Sequence, residues 1–256
     1  MKIKKIIPKL MIGLCAISLV VLIIVVFSGC TLSLENASKN INNYDIEIDY
    51  NSSLQTLTCT EEVVYINNTD TTLNYVAFHL YPNAFREESI SSPVSLANQH
   101  KAYPNGLSYG DISINSVNVL NSTATYCSTI QTTQPTYSEI KNFIKNNNLT
   151  DSQYFIGGED ENILYILFPV ELFPEEEITF SISFNVQIPN VNHRFGYGDN
   201  TVNIANFYPI ACVYENGEFD TSLYSSNGDP FYSDISNYTV TIKASTSYIV
   251  SNTGYI

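Results

Sequence analysis

Basic residues are scarce in this chain of 256 residues, which has 11 lysines and arginines against 25 aspartates and glutamates. Four of the lysines lie within residues 1–9, and residues 1–29 contain no acid, so the remainder has 7 basic and 25 acidic residues, a charge of −18. Because polyanion binding needs clustered lysines and arginines that release counterions, the sequence excludes a nucleic-acid partner. The acidity is typical of a domain that stays soluble at a cell surface.

Cysteine is too irregularly spaced to form a zinc site built from thiolates. Cys15 lies in an amino-terminal leader and Cys30 follows it, which leaves Cys59, Cys127 and Cys212 without a Cys-x-x-Cys pair. Two alternatives stay open for these three residues. One disulfide in any of three pairings is compatible with an extracytoplasmic compartment, and buried free thiols in strands are the other interpretation.

Residues with catalytic or ligating chemistry are few, and their surroundings favour structural roles. His79 lies in an apolar strand pattern that covers both faces, which predicts a satisfied core or interface histidine rather than a ligand. His193 and Arg194 precede a glycine-rich segment typical of a plain turn, with a cleft-shaping loop as the alternative. Residues 159–161 are acidic but lack the alternating carboxylates of a calcium loop, so they predict a solvated hairpin tip. No Gly-x-Ser-x-Gly motif occurs, and we assign no catalytic or metal-binding residue in this chain.

The amino terminus has the order of a bacterial lipoprotein signal. Apolar residues 10–27 follow four lysines, and the segment ends in Phe27-Ser28-Gly29-Cys30. This pattern resembles the lipobox. The resemblance implies diacylglyceryl transfer to the Cys30 sulfur, cleavage before Cys30 and anchoring at the extracytoplasmic face of a bacterial cell membrane. The alternative is an uncleaved anchor helix, because about eighteen apolar residues just span a bilayer. The lysines are Lys2, Lys4, Lys5 and Lys9.

The sequence divides into three parts. Residues 1–29 are the predicted signal peptide, residues 30–42 the lipidated cysteine and a polar tether, and residues 43–256 a single β domain. A hydrophobic content of 44%, with 19 tyrosines and 13 phenylalanines, is ample for a packed core and excludes a disordered chain.

Strand patterns dominate the third part. Tyr44, Ile46 and Ile48 alternate with acids, and residues 178–188 alternate apolar with polar side chains over their full length. Further strands are predicted near residues 54–66, 72–81, 111–126, 163–168, 202–214 and 237–251. The one predicted helix in this part runs from Tyr137 to Asn146. We therefore expect an all-β, large antiparallel β-sandwich with at most one short helix, preceded by an amino-terminal signal or anchor helix.

A series of segments supports a family resemblance. The segments are Phe78-His79-Leu80-Tyr81-Pro82-Asn83-Ala84-Phe85-Arg86, Tyr109-Gly110-Asp111-Ile112, Asn162-Ile163-Leu164-Tyr165-Ile166, residues 176–189, His193-Arg194-Phe195-Gly196-Tyr197, Asn206-Phe207-Tyr208-Pro209, Gly228-Asp229-Pro230-Phe231-Tyr232-Ser233 and Asn237-Tyr238-Thr239-Val240-Thr241-Ile242. In this order they resemble the amino-terminal β-sandwich of bacterial zinc metallopeptidases of the aminopeptidase N family, over about residues 43–256. The resemblance implies a saddle-shaped β domain that packs against a thermolysin-like catalytic domain.

The chemistry of that family needs His-Glu-x-x-His on a helix, and none of the three histidines here is followed by glutamate. The family's Gly-x-Met-Glu-Asn stretch is also missing. The family's amino-terminal domain lends a glutamine or glutamate to the substrate amine, whereas residues 203–209 offer asparagine, so no substrate-binding residue is assigned. We therefore expect no enzyme activity and no cofactor in this chain, with zinc confined to an absent catalytic domain.

Two functions follow as hypotheses. The first is the non-catalytic amino-terminal domain of a membrane-tethered metallopeptidase, truncated or split from a separately encoded catalytic domain. The second is an independent surface lipoprotein that binds peptide or glycan through its β-sandwich. An exposed apolar face, expected near residues 206–214 and 248–256, would favour the first. A concave groove lined with aromatic side chains would favour the second.

Overall fold

The computed structural model describes residues 40–130 and 134–255. The leader, its signal or anchor helix and Cys30 lie outside the described residues. Among the described residues, no helix is both long and apolar enough to cross a bilayer.

The strands and helices of the described residues have the following bounds. The strands are β1 Asn43–Asn51, β2 Thr56–Ile66, β3 Leu73–His79, β4 Asp111–Val119, β5 Ser122–Thr123, β6 Thr125–Tyr126, β7 Gln153–Gly157, β8 Ile163–Leu172, β9 Glu177–Gln187, β10 Phe195–Tyr197, β11 Val202–Ile204, β12 Ile210–Ala211, β13 Tyr214–Glu215, β14 Glu218–Phe219 and β15 Asn237–Lys243. The α-helices are α1 Gln99–Ala102 and α2 Tyr137–Asn146, and 3₁₀ turns occupy Tyr81–Phe85 and Leu96–Asn98.

Two sheets form the sandwich. The six-stranded sheet has the order β15-β1-β2-β9-β4-β5, and the five-stranded sheet has the order β12-β3-β8-β7-β6. Phe78 of β3 meets Phe180 of β9 edge to face with ring centroids 5.5 Å apart, so the core lies between the two sheets. The hydroxyl of Tyr44 accepts a hydrogen bond of 3.0 Å from the backbone N–H of Ala211, which ties β1 to the facing sheet.

The two sheets differ in how many of their faces are buried. Strands β1 and β2 alternate buried and exposed residues and β9 alternates buried and half-buried ones, as the sequence predicts for a sheet with one wet face. Strand β3 is buried on both faces because α2 and the β13–β14 hairpin cover its outer side. There Tyr75 contacts Tyr137 of α2 at 5.6 Å and Phe219 of β14 at 5.2 Å between ring centroids.

The predicted all-β sandwich is confirmed, and the predicted helix has the bounds expected from its sequence. Thr136 and Glu139 form a reciprocal capping box that fixes its start. Strand pairing is antiparallel except for β1–β15 and β6–β7, which are parallel. Strand β15 ends at Lys243, earlier than predicted, and a turn closed by the N–H of Tyr248 and the C=O of Ser245 follows it.

The three cysteines of the β domain are free and buried, which confirms the free-thiol alternative for Cys59, Cys127 and Cys212. Burial raises the pKa of the Cys59 thiol to about 12. A thiol with so high a pKa stays protonated and is a poor nucleophile. These cysteines therefore act as small apolar core residues.

Candidate docking surface

Strand β15 carries an apolar stripe that the sandwich covers only in part. Its residues Tyr238, Val240 and Ile242 lie in register beside the buried Tyr44, Ile46 and Ile48 of β1 and therefore face the same side of the sheet. They are nevertheless 44%, 48% and 36% exposed. The facing sheet ends in the two-residue strand β12 and leaves these three side chains partly uncovered. We call Tyr238, Val240 and Ile242 the β15 stripe.

Tyrosines border the β15 stripe at both ends. At its start, Tyr208 contacts Tyr238 with ring centroids 5.8 Å apart, and Tyr238 stacks on Tyr44 at 5.0 Å. Beyond its end, Tyr248 meets Tyr50 edge to face at 5.5 Å. Tyrosine is enriched at protein interfaces because it combines a large apolar ring with a polar tip. The stripe therefore has the composition of an interaction surface.

One of the two segments expected to be exposed is instead buried. Residues 206–214 are mostly buried because Ile210 and Ala211 pair with β3 and the N–H of Cys212 donates to the C=O of Ala77. The expectation was wrong for Phe207, Ile210 and Ala211, which are buried, whereas Tyr208 and Tyr214 stay partly exposed. Residues 248–255 are exposed, as expected for the second segment.

Glu61 is buried beneath this edge of the sandwich. It lies on β2 between Ile46 of β1 and Ile182 of β9, is 1% exposed, and neither carboxyl oxygen has a hydrogen-bond partner. Burial raises its pKa well above the ordinary value, which keeps the carboxyl protonated. Glu61 is a buried residue that the sequence expectations above do not include. The sequence signal for its burial was its place in the alternation of β2, because Glu61 lies two residues from Cys59 and from Val63 and shares their inward face.

His79 is a core residue, as predicted, but its ring is not satisfied. It stacks on Tyr81 with ring centroids 4.6 Å apart, and neither ring nitrogen has a hydrogen-bond partner. Burial lowers its pKa to about 4, although the charge of Asp220 acts in the opposite direction. The imidazole is therefore neutral at neutral pH. The ring is packed in the core, but neither of its nitrogens is hydrogen-bonded, so the prediction of a satisfied histidine was wrong in this respect.

His193 lies in the loop before β10. Its ring contacts Phe85 and Tyr224 with centroids 5.5 Å and 6.5 Å apart, and burial together with the charge of Arg194 lowers its pKa. The turn that follows is the β10–β11 hairpin, closed by the N–H of Gly198 and the C=O of Thr201. Asn203 donates through its side chain to the C=O of His193 at 2.9 Å, so this asparagine has a structural partner.

The acidic residues 159–161 form the tip of the β7–β8 hairpin, but the tip is not fully solvated. Asp160 is buried and accepts hydrogen bonds from the hydroxyls of Ser89 and Ser91 at 2.6 Å and 2.5 Å. Glu161 pairs with Arg86. The tip therefore holds residues 86–91 through charge-assisted hydrogen bonds, which corrects the predicted solvated tip. The described ranges contain no group of three or more His, Cys, Asp and Glu side chains that could hold a metal ion.

A cleft of about 490 Å³ lies between residues 90–99 and 223–226. Its volume falls within the usual range for small-ligand clefts, roughly 300–1,000 Å³. Its walls are rich in serine, and its aromatic residue, Tyr224, is itself buried. The cleft therefore lacks the exposed aromatic lining expected of a glycan-binding groove. The serines are Ser91, Ser92, Ser95, Ser225 and Ser226.

No protein-family model and no curated protein matches the sequence. Among solved structures, an M1 zinc metallopeptidase from Deinococcus radiodurans matches 58% of this chain and 20% of its own, with 7% identity and a TM-score of 0.31. A mutant of the D. radiodurans M1 enzyme matches 79% of this chain and 32% of its own, with 9% identity and a TM-score of 0.37. Yeast LTA4 hydrolase in complex with bestatin matches 57% and 14%, with 9% identity and a TM-score of 0.25. The chain thus spans less than a third of the length of these structures.

Proposed function

We propose that this chain is the non-catalytic amino-terminal domain of a membrane-tethered, aminopeptidase N-like zinc metallopeptidase, and that it docks on the catalytic domain through the β15 stripe. The carrying observation is the set of core-side apolar residues on β15 that the described sandwich covers only in part. An uncovered apolar patch of this kind on a soluble domain marks an interaction site. The ordered series of segments that resembles this family supports the identity of the partner.

The electrostatics of the β domain support binding rather than catalysis. His79 is neutral and packed against Tyr81, and Cys212 is buried with a pKa well above the ordinary value, chiefly because of burial. A general base must reach a proton of its substrate, and a nucleophilic cysteine must be a thiolate. Neither residue meets its requirement.

The proposal places the domain outside the cytoplasm, held by a lipid on Cys30. The tether ends at Asn42, which is itself part of the fold. Its side chain accepts from the N–H of Ile66, and its C=O accepts from the N–H of Asn237 at the start of β15. The tether therefore joins the β domain next to the proposed docking strand.

We expect Cys30→Ala to abolish lipidation, because the cysteine sulfur is the only atom to which the diacylglyceryl group is attached in this scheme. The measurement is partitioning into the detergent phase together with labelling by a radioactive fatty acid, and intact mass reports whether the leader has been cleaved. Cys15→Ala, a cysteine change within the leader, is the matched control and keeps both signals. Fatty-acid labelling of the Cys30 variant would contradict the lipoprotein assignment.

The docking proposal predicts that Val240→Asp weakens binding of a metallopeptidase partner by about tenfold or more, because it puts a charge into an apolar interface. The full chain is isolated from membranes of its source cell, and the co-purifying, chelator-sensitive aminopeptidase activity is measured. Thr241→Asp, on the opposite face of β15, is the control and retains this activity. Equal activity with both variants, or none with the unaltered chain, would refute the proposal.

A second candidate function rests on the cleft lined by serines, whose size suits a small neutral ligand. An independent lipoprotein would bind a peptide or glycan there. Saturable binding of an oligosaccharide or short peptide that Ser91→Trp removes, with Val240→Asp without effect, would favour this function over the first.

A further inference from the structure

Strand β15 offers a free edge as well as an uncovered face. It pairs in parallel with β1 along Asn237–Lys243, and no strand of the described residues pairs with its other side. All seven of its residues are exposed. Since alternate residues of a strand direct their N–H and C=O groups to opposite sides, part of the backbone of β15 is available to another strand.

This edge lacks the features that normally prevent strand addition. Natural edge strands are protected by proline, bulges, inward-pointing charges or very short length. Strand β15 is seven residues long, follows β1 without a register shift and contains no proline. Its one charged residue, Lys243, is the last and pairs with Asp49 at 2.5 Å. Thr239, Val240, Thr241 and Ile242 are also β-branched residues that favour extended backbone.

The β15 stripe determines which side chains an added strand needs on its core side. Neighbouring strands lie about 4.8 Å apart, so alternate side chains of an added strand would lie directly beside Tyr238, Val240 and Ile242. Apolar side chains there would cover the stripe.

The outer side of the same edge is acidic. Strand β1 presents Asp45, Glu47 and Asp49 to solvent, one strand in from the edge. Between them and the free edge stand the short side chains of Thr239 and Thr241. An added strand would lie about 10 Å from β1, a distance that an extended lysine or arginine and a carboxylate can bridge together. The outer face of this edge is therefore complementary to a basic strand.

We propose that β15 is the acceptor edge for an extended segment in which apolar residues alternate with lysine or arginine. The segment adds to the six-stranded sheet beside β15, its apolar side chains cover the β15 stripe, and its basic side chains face Asp45 and Glu47. This deepens the proposed function, on which it rests only for the identity of the protein that carries the segment. A second copy of this chain fits poorly, because its own β15 has threonines in place of basic side chains on the outer face and its acidic row follows one strand further out.

The test uses a soluble, fluorescent peptide of alternating valine and lysine, added to the purified full chain in detergent. We expect saturable binding that weakens as salt rises, with a gain in amide hydrogen-exchange protection confined to β15 and β1. Glu47→Lys and Val240→Asp each weaken binding by about tenfold, a change of about 1.4 kcal/mol. Asp151→Lys, the same charge change in an exposed loop, leaves the affinity within about twofold.

Two control peptides decide between strand addition and charge attraction alone. A peptide with the same valines and lysines in two blocks cannot place them on opposite faces of a strand, and alternating valine and glutamate has the wrong charge. Equal affinity for the block peptide, binding of the acidic peptide, or protection spread over the whole chain would overturn the proposal. Dimerisation of the chain through β15 at micromolar concentration would overturn it as well.

The outcomes also separate this inference from the proposed function. If Val240→Asp removes the co-purifying peptidase activity but the alternating peptide does not bind, docking stands and strand addition is wrong. If the peptide binds and the peptidase activity is independent of Val240, strand addition stands and the metallopeptidase partner is wrong.

Discussion

Replacing Glu61 with glutamine is expected to stabilise the domain between about pH 6.5 and pH 8, because it removes the fall in stability that the raised pKa of Glu61 causes as pH rises above its unfolded value, about 4.3. Glutamine has the shape of the protonated acid but carries no proton that can be lost. At pH 8 the unfolding free energy of the Glu61→Gln variant should exceed that of the unaltered chain by more than about 1 kcal/mol.

The direction follows from the pKa of Glu61 in the two states. In the unfolded chain the carboxyl titrates at its ordinary value, about 4.3, whereas burial without a hydrogen-bond partner raises the pKa in the fold. Between the two values the folded state holds one proton more. Stability is therefore fully present below the unfolded pKa and falls as pH rises, by about 1.4 kcal/mol per pH unit, until the folded pKa is passed.

The pH range is chosen so that other groups do not mask this slope. Burial lowers the pKa of His79 to about 4, so this residue adds an opposite slope between about pH 4 and pH 6.5. Among the groups around Glu61, burial raises the pKa values of Tyr44, Cys59 and Tyr208, which stay neutral in the fold throughout the range.

The unfolding free energy is measured by urea denaturation at several pH values, with one common m-value, the slope of this free energy against urea concentration. Glu62→Gln is the matched control, because Glu62 is the next residue of β2 but points to solvent. It should leave the pH profile unchanged. An identical profile for Glu61→Gln and the unaltered chain would show that the Glu61 carboxyl is ionised or solvated in the fold.

Changing Asn67 to aspartate is expected to cost roughly 3–5 kcal/mol of unfolding free energy, enough to unfold many domains of this size. Asn67 is fully buried. Its side-chain N–H groups donate to the C=O groups of Thr71 and Leu172 at 2.8 Å and 2.9 Å, and its side-chain oxygen accepts from Thr69. Aspartate would place a carboxylate oxygen against two carbonyl oxygens, without water to separate them.

The position of Asn67 explains why one atom has so large an effect. The residue follows β2 in one sheet and bonds to Leu172 at the end of β8 in the other, and its own backbone bonds to Glu175 and Glu176 before β9. Thermal unfolding followed by circular dichroism measures the effect. Asn74→Asp is the control, because Asn74 also donates to a backbone carbonyl, that of Val170, but at the surface, and should cost less than about 1 kcal/mol. Equal losses for the two variants would contradict the assigned role.

The sequence was sufficient wherever the structure depends on neighbours within a few residues. The alternation in residues 178–188 predicted β9, and the helical spacing after Pro135 predicted α2 with its observed bounds. The alternation along β2 would likewise have placed Glu61 in the core. Short strands such as β7 and β12 were missed or merged because two to five residues carry too little periodicity, and their pairing is set by distant partners.

Only the tertiary structure decided which faces are covered. Tyr238, Val240 and Ile242 show the same alternation as the buried strands, and from sequence alone they predict a core face. Whether such a face is buried depends on how far the opposite sheet extends, which is set by β12 and its pairing with β3, more than a hundred residues earlier in the chain. The sequence by itself thus determined the long strands, the helix, the acidity and the missing catalytic motif, because these are local or compositional properties. The exposed edge at β15, the neutral His79 and the hydrogen bonds of Ser89 and Ser91 to Asp160 arise from contacts between distant segments, which only folding brings together.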